Sequence, residues 1–303
     1  MYLLSVLFSE TSQYIYDRID KEVHYFEKEG IVIEKYTEKQ GKNECISFEV
    51  QTSSLKNYTK KDFGNIFKHY LANAFSDIII QFEETKLARK ILQEQYYYFS
   101  PVERESILGH LENVLKNEEY KYHEGVTYRI SRKAKILQQI MDYLKENDFI
   151  HLDGFIRFRL KNYILELEDS VDKAVEDFLM EKEYNEFIRL LRYFVDIQEA
   201  KIDTVNVLIH EDGKYHLFDK LRRSVNNDYI EDLAAEMLDN DIGYDDLLIS
   251  SLITIAPKKI NIHFTGKIHN KEIIKTIKNV FSDRVNVCTG CDFCSLIQHV
   301  KQE

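Results

Sequence analysis

Apolar positions change their spacing along the chain, and the changes divide it before residue chemistry is considered. Residues 2 to 8, Tyr-Leu-Leu-Ser-Val-Leu-Phe, read as a first strand, and residues 13 to 29 carry apolar side chains at helical intervals until Gly30 interrupts them. Ile31-Val-Ile33 reads as a second strand, Lys39-Gln-Gly-Lys-Asn43 as a turn, and Cys45-Ile-Ser-Phe-Glu-Val50 as the returning arm of a hairpin. Residues 1–57 therefore predict a β-α-β-β unit. Over residues 58–200 apolar side chains recur at three and four positions with almost no Gly or Pro, which predicts a mostly helical region. Within it, Ser100-Pro-Val-Glu103 starts a helix, with Ser100 as N-cap, Pro101 at the first helical position and Glu103 closing a capping box. Ile164, Leu167, Val171, Ala174 and Phe178 form one stripe. Tyr184, Phe187, Leu191 and Phe194 continue it out of phase, so a break near Glu181 is expected.

From Lys201 alternation returns. Residues 204 to 210 and 215 to 219, joined by Glu211-Asp-Gly213, form a hairpin candidate, and helices are expected over 228–238 and 244–256. Pro257 stops the second helix. A strand at 259–264, a helix at 271–281 and a strand at 284–288 make a βαβ crossover, which requires two parallel strands in one sheet. The expected fold is α+β: the N-terminal β-α-β-β unit, the helical region, and a C-terminal α/β unit over 201–303. Strand pairing between the two ends has no local signature.

Composition narrows the class. The chain has 303 residues, 44% hydrophobic, with twenty Tyr and eighteen Phe, enough to offset ordering entropy by burial and so to exclude disorder. Two prolines and ten glycines supply too few turns for an all-β fold. A net charge of −11 excludes a generic polyanion binder. The longest apolar stretch, 247 to 256, falls well short of the roughly 20 residues that span a bilayer. The first residues lack the basic stretch of a signal peptide. A cytoplasmic protein with no membrane partner is expected.

The informative motif is Cys288-Thr-Gly-Cys291-Asp-Phe-Cys294, directly after a predicted strand. Three thiols at intervals of three on a turn entering a helix converge on one point, and converging thiolates suit soft metals. The run resembles part of a bacterial ferredoxin motif, but Ser295-Leu-Ile-Gln-His299 stands where the fourth cysteine and proline would come. The fourth ligand is then His299, or His263 near the end of the strand that the crossover sets parallel to the cysteine-bearing one. Zinc in a Cys3His site fits, and so does an iron–sulfur cluster with one non-cysteine ligand or an open iron. Two other readings remain: a thiol-disulfide oxidoreductase in which Cys288 or Cys291 attacks and a neighbour resolves, and inert buried thiols. Cys45, alone on a strand, reads as core.

No other enzyme signature is present. Thr265-Gly-Lys267 lacks the rest of a P-loop, GxGxxG and GxSxG are missing, and the histidines show no HExxH spacing, so no catalytic residue is nominated. Lys258, Lys259, Lys267, Lys271, Lys275, Lys278 and Arg284 face only Glu272 and Asp283 between residues 257 and 284, a local excess of 7 − 2 = +5. This basic face suits an anionic or protein partner, and a nucleic-acid reading rests on it alone.

Four segments carry a resemblance: Asp153-Gly-Phe-Ile-Arg-Phe-Arg-Leu-Lys161, Glu181-Lys-Glu-Tyr-Asn-Glu-Phe-Ile-Arg-Leu-Leu-Arg-Tyr-Phe-Val195, Asp246-Leu-Leu-Ile-Ser250 with Ile253-Thr-Ile-Ala-Pro257, and the cysteine run. Together they resemble the YtxC-like sporulation proteins of endospore-forming bacteria, most closely from about residue 75 onward. The resemblance implies a cytoplasmic protein of a spore former, and brings no reaction, substrate or catalytic residue with it.

Overall fold

The computed structural model describes residues 1–118, 121–123, 126–128, 131–210, 214–225, 244–264 and 271–294. The fold is α+β, and the chain divides into two compact units, Met1–Leu179 and Met180–Glu303.

In the first unit, β1 (Tyr2–Phe8) leads to α1 (Gln13–Lys28), and β2 (Ile33–Gln40) turns back into β3 (Asn43–Val50). Gln40 pairs with Asn43, so the hairpin loop is Gly41-Lys42, and Gly41 takes the positive φ of 68° that this turn demands. The second strand is thus longer than the apolar triplet 31–33 implied. Its charged positions lie on the exposed edge of the sheet, where polar side chains protect a strand from stray pairing. The sheet order is β2-β3-β1-β6, with β3 antiparallel to both neighbours and β6 (Phe149–His151) parallel to β1. The short β6 has too few residues to show alternation in the sequence.

Helices α2 (Lys60–Ile78), α5 (Ser131–Leu144) and α6 (Leu152–Arg159) bury apolar side chains with α1 and this sheet. Phe26 and Phe48 meet Phe67 at ring distances of 5.7 and 5.5 Å. Each such buried ring contributes about 1.5–3 kcal/mol. One π-helical turn, Ile79–Glu83, joins α2 to α3 (Glu84–Gln95), which shares a second apolar cluster with α4 (Pro101–Glu118) and the first half of α7 (Lys161–Ile197). The expected capping box of α4 is present: the Ser100 amide donates to Glu103 Oε2 at 2.9 Å, and the Glu103 amide donates to Ser100 Oγ at 3.3 Å. A two-stranded ladder of β4 (Lys121–His123) and β5 (Val126–Tyr128) lies between α4 and α5 in sequence.

The break expected near Glu181 does not occur, because α7 runs unbroken from Lys161 to Ile197. Leu167, Val171, Ala174 and Phe178 are buried in the first unit and Ile188 and Val195 in the second, while every side chain from Leu179 to Phe187 is exposed. The phase shift marks a handover from one core to another. Met180-Glu-Lys-Glu183 are good helix formers and offer nothing to stop the helix.

The second unit holds a separate sheet of order β10-β9-β7-β8. Strand β7 (Ile202–Ile209) pairs antiparallel with β8 (Tyr215–Phe218) and parallel with β9 (Pro257–Phe264), and β9 pairs parallel with β10 (Val285–Val287). The crossover helix α9 (Lys271–Phe281) gives the expected βαβ connection, while α8 (Tyr244–Ile255) begins with Asp245 and Asp246 in its first turn, favourable charges for that end. Val205, Val207, Ile260 and Ile262 point to the side covered by apolar residues of α7, α8 and α9. By strand alternation Asn206, Asn261 and His263 occupy the opposite side. The helix expected at 228–238 and the turn 211–213 lie outside the described residues.

Candidate metal centre

Parallel pairing delivers the site. Val287 lies beside Ile262, so Cys288, one residue on, comes level with His263, and its amide donates to the Ile262 carbonyl at 2.9 Å. The chain then turns: Gly290 adopts a φ of 131° and donates its N–H to Cys288 Sγ at 3.3 Å, and residues 292–294 are helical. This turn carries Cys291 and Cys294 back over the strand ends. Ligand atoms of His263, Cys288, Cys291 and Cys294 all lie within 4.8 Å of one another, a group that could hold a metal ion.

The spacing tests what would fit. A tetrahedral ion with metal–sulfur bonds of about 2.3 Å and a metal–nitrogen bond of about 2.0–2.1 Å needs S···S edges of about 3.8 Å and S···N edges of about 3.5 Å. Observed S···S distances are 3.7 Å for Cys291–Cys294 and 3.9 Å for Cys288–Cys294. His263 Nδ1 lies 3.6 Å from Cys291 Sγ and 3.4 Å from Cys294 Sγ. These four edges suit a single ion, and the other two, from Cys288 to Cys291 and to His263, lie within the same 4.8 Å. The ligands of a multi-iron cluster serve separate irons and surround a larger group.

The imidazole is also held in the required tautomer. Asn206 Nδ2 donates to the Asp219 carbonyl at 3.1 Å, which turns Oδ1 the other way, where it accepts from Asn261 Nδ2 at 3.1 Å and lies 3.3 Å from His263 Nε2. Oδ1 has no proton, so Nε2 carries it, and the Nδ1 lone pair faces the thiols. Burial, aided by the Arg222 charge, pushes the His263 imidazole below its ordinary pKa, which favours the neutral form that ligates. Phe293 packs against His263 at 5.1 Å and against Phe218 at 5.4 Å, and Arg222 lies over the Phe293 ring. The Cys294 amide lowers the Cys291 thiol by hydrogen bonding, while burial raises that of Cys294.

Of the expected ligands, the structure brings Cys288, Cys291, Cys294 and His263 together; His299 lies outside the described residues. Cys45 is buried in β3. Asn206 and Asn261 were not singled out from the sequence. Their signal was present: polar residues at alternating positions in otherwise apolar strands, Asn206 between valines and Asn261-Ile-His263. The basic face is smaller than its residue tally, because Lys258 lies 3.8 Å from Asp203 and Arg284 lies 3.3 Å from Asp196. Lys271, Lys275 and Lys278 remain exposed on one side of α9, and Lys267 lies outside the described residues.

Fold and site together define an α+β protein with a Cys3His cluster at the carboxyl ends of parallel strands. No helix among the described residues is long and apolar enough to cross a membrane. The chain belongs to the YtxC-like family, which it matches over residues 69–286. It is 26% identical over 212 residues to the uncharacterized protein YtxC of Bacillus subtilis strain 168, covering 69% of this chain and 72% of that one. No solved structure matches. The family match includes His263 and ends just before Cys288.

Proposed function

We propose that this is a non-catalytic binding or regulatory protein of the cytoplasm of spore-forming bacteria, whose C-terminal unit is fastened by a zinc ion. Cys288, Cys291, Cys294 and His263 are the ligands. What supports the reading is that four S···S and S···N separations, 3.4 to 3.9 Å, are those of a single tetrahedral ion, with His263 held as the Nδ1-accepting tautomer. Such an ion would tie β9 to the last turn and supply folding free energy, with four protein ligands leaving no open position for chemistry. The exposed lysines of α9 offer a docking face for an anionic partner. The link to sporulation rests on the family resemblance.

Anaerobic purification followed by elemental analysis and an absorption spectrum tests this. One zinc per chain in a colourless solution is expected. Iron with acid-labile sulfide would overturn it in favour of a cluster. A metal-free protein whose Cys291→Ser variant melts like the parent would overturn it in favour of thiol chemistry or inert cysteines. Deletion in a spore-forming host should lower the yield of heat-resistant spores, and an unchanged yield would remove the link to sporulation.

A further inference from the structure

The second half of α7 has three faces where an ordinary amphipathic helix has two. Ile188, Leu191 and Val195 turn into the core of the second unit. Lys182, Asn185, Arg189 and Asp196 form a polar, exposed face. A third face lies between them. Residues advance by about 100° each along a helix. Met180, Phe187 and Phe194, seven apart, therefore share a stripe with Leu190 and Ile197, each three residues beyond one of them, and Tyr193 borders it. All six side chains are 50 to 60% exposed. Glu183 and Glu186 are the charged members of this arc, and the six large apolar or aromatic side chains outnumber them, whereas the polar face of the same helix carries Lys182, Asn185, Arg189 and Asp196.

We propose that this stripe is a homodimer seam, in which α7 of one copy packs antiparallel on α7 of another about a two-fold axis. Area favours a second copy. A large ring buries 150–250 Å² in full, so half-exposed side chains of this size leave about 100 Å² each and the stripe offers roughly 600 Å². A standard interface takes about 800 Å² per partner, about 65% of it apolar in homodimers, which is close to what the stripe provides. Pattern favours it as well. Positions repeating at seven with apolar residues three later are the a and d positions of a coiled-coil seam, which is complementary to itself, and a two-fold axis presents the same patch from both sides. With the axis between Phe187 and Leu190, Phe187 meets Leu190 of the second copy and Met180 meets Ile197. In this register Glu183, the acid in the series, falls opposite Phe194 of the second copy, one step inside the Met180–Ile197 pair, so its carboxylate has to turn to the flank of the seam to reach water.

Sedimentation equilibrium of the full chain from about 1 to 100 μM tests the proposal, with a micromolar dissociation constant expected. Replacing Phe187→Glu and Phe194→Glu together should weaken the dimer by at least about 100-fold, because two carboxylates per copy would be buried without partners. Arg189→Glu, on the polar face, should leave the constant unchanged. Both substituted rings are half-exposed, so circular dichroism and melting temperature should match the parent and separate lost pairing from lost folding. A parent that stays monomeric at the highest concentration overturns the proposal, as does a dimer that survives the double substitution. A monomer that uses the stripe to capture a different protein also overturns it.

Discussion

Asn206→Ala separates the ligand set from the group that orients it. In the parent the Asn206 amide is fixed by its bond to the Asp219 carbonyl, and its Oδ1 keeps the His263 proton on Nε2 at 3.3 Å. Removing it touches no ligand atom, yet frees the imidazole to rotate or to place its proton on Nδ1, where no metal can bind. Loss of such an outer partner typically costs 10–100-fold in metal affinity, or about 1.4–2.7 kcal/mol. Asn206→Asp keeps an acceptor facing Nε2 and should retain affinity within a few-fold, although it forfeits the bond to Asp219. The assay is zinc competition between the protein and a chromogenic chelator, with the melting temperature of the metal-free form recorded for each variant. Asn261 Nδ2 also loses its partner in the alanine variant, costing about 1–3 kcal/mol of folding stability whether or not metal is bound. Only the drop in affinity reports on His263. An alanine variant that competes as well as the parent would refute the argument, because it would mean that Asn206 does not set the imidazole.

Three further outcomes are expected. Zinc chelation should expose the second unit to limited proteolysis around residues 288–294 while unit Met1–Leu179 keeps its melting transition, and simultaneous loss of both would contradict the division. Tyr163→Phe removes a buried 2.7 Å bond to Glu84 Oε2, so the first unit should lose about 1.5–3 kcal/mol and melt several degrees lower by calorimetry, whereas an unchanged transition would refute the role of this bond. Burial raises the Glu83 carboxyl above its usual 4.5, so at this group the folded chain retains a proton that the unfolded chain releases, and its contribution to stability should fall as pH rises from 4.5 through the raised value. Glu83→Gln should flatten that slope in urea titrations and melt higher at neutral pH, and parallel pH curves for parent and variant would refute it.

The legible parts of the fold were those whose signal is local. The Ser100–Glu103 box, the crossover helix Lys271–Phe281 and the hairpin of β7 with β8 each follow from adjacent residues, and the structure places them where the spacing does. Strand β2 was underestimated because an edge strand is selected for charge, which erases the apolar alternation used to find it. β6 pairs with β1 across more than 140 residues of chain, and such pairing depends on packing that no window contains. The change of stripe in α7 was visible, but its meaning was not. Periodicity shows that the buried face rotates, and only the positions of two cores show why the helix need not break.

The site was legible where it depends on spacing and hidden where it depends on register. CxxCxxC is read in one window, and the crossover already implied that a residue near the end of β9 could meet it. His263 satisfied that reasoning through a definite register: Val287 beside Ile262 puts Cys288 level with the imidazole. The same register logic extends one strand further. Asn206 pairs with Asn261 across β7 and β9, which puts its amide on the side of the sheet that bears His263. Three adjacent parallel strands thus each contribute at one sheet end: β10 the thiols, β9 the imidazole, and β7 the amide that fixes its tautomer. The parallel topology is therefore what brings a motif confined to seven residues, Cys288 to Cys294, together with an imidazole and the amide that orients it from segments 25 and 82 residues upstream of Cys288, at His263 and Asn206.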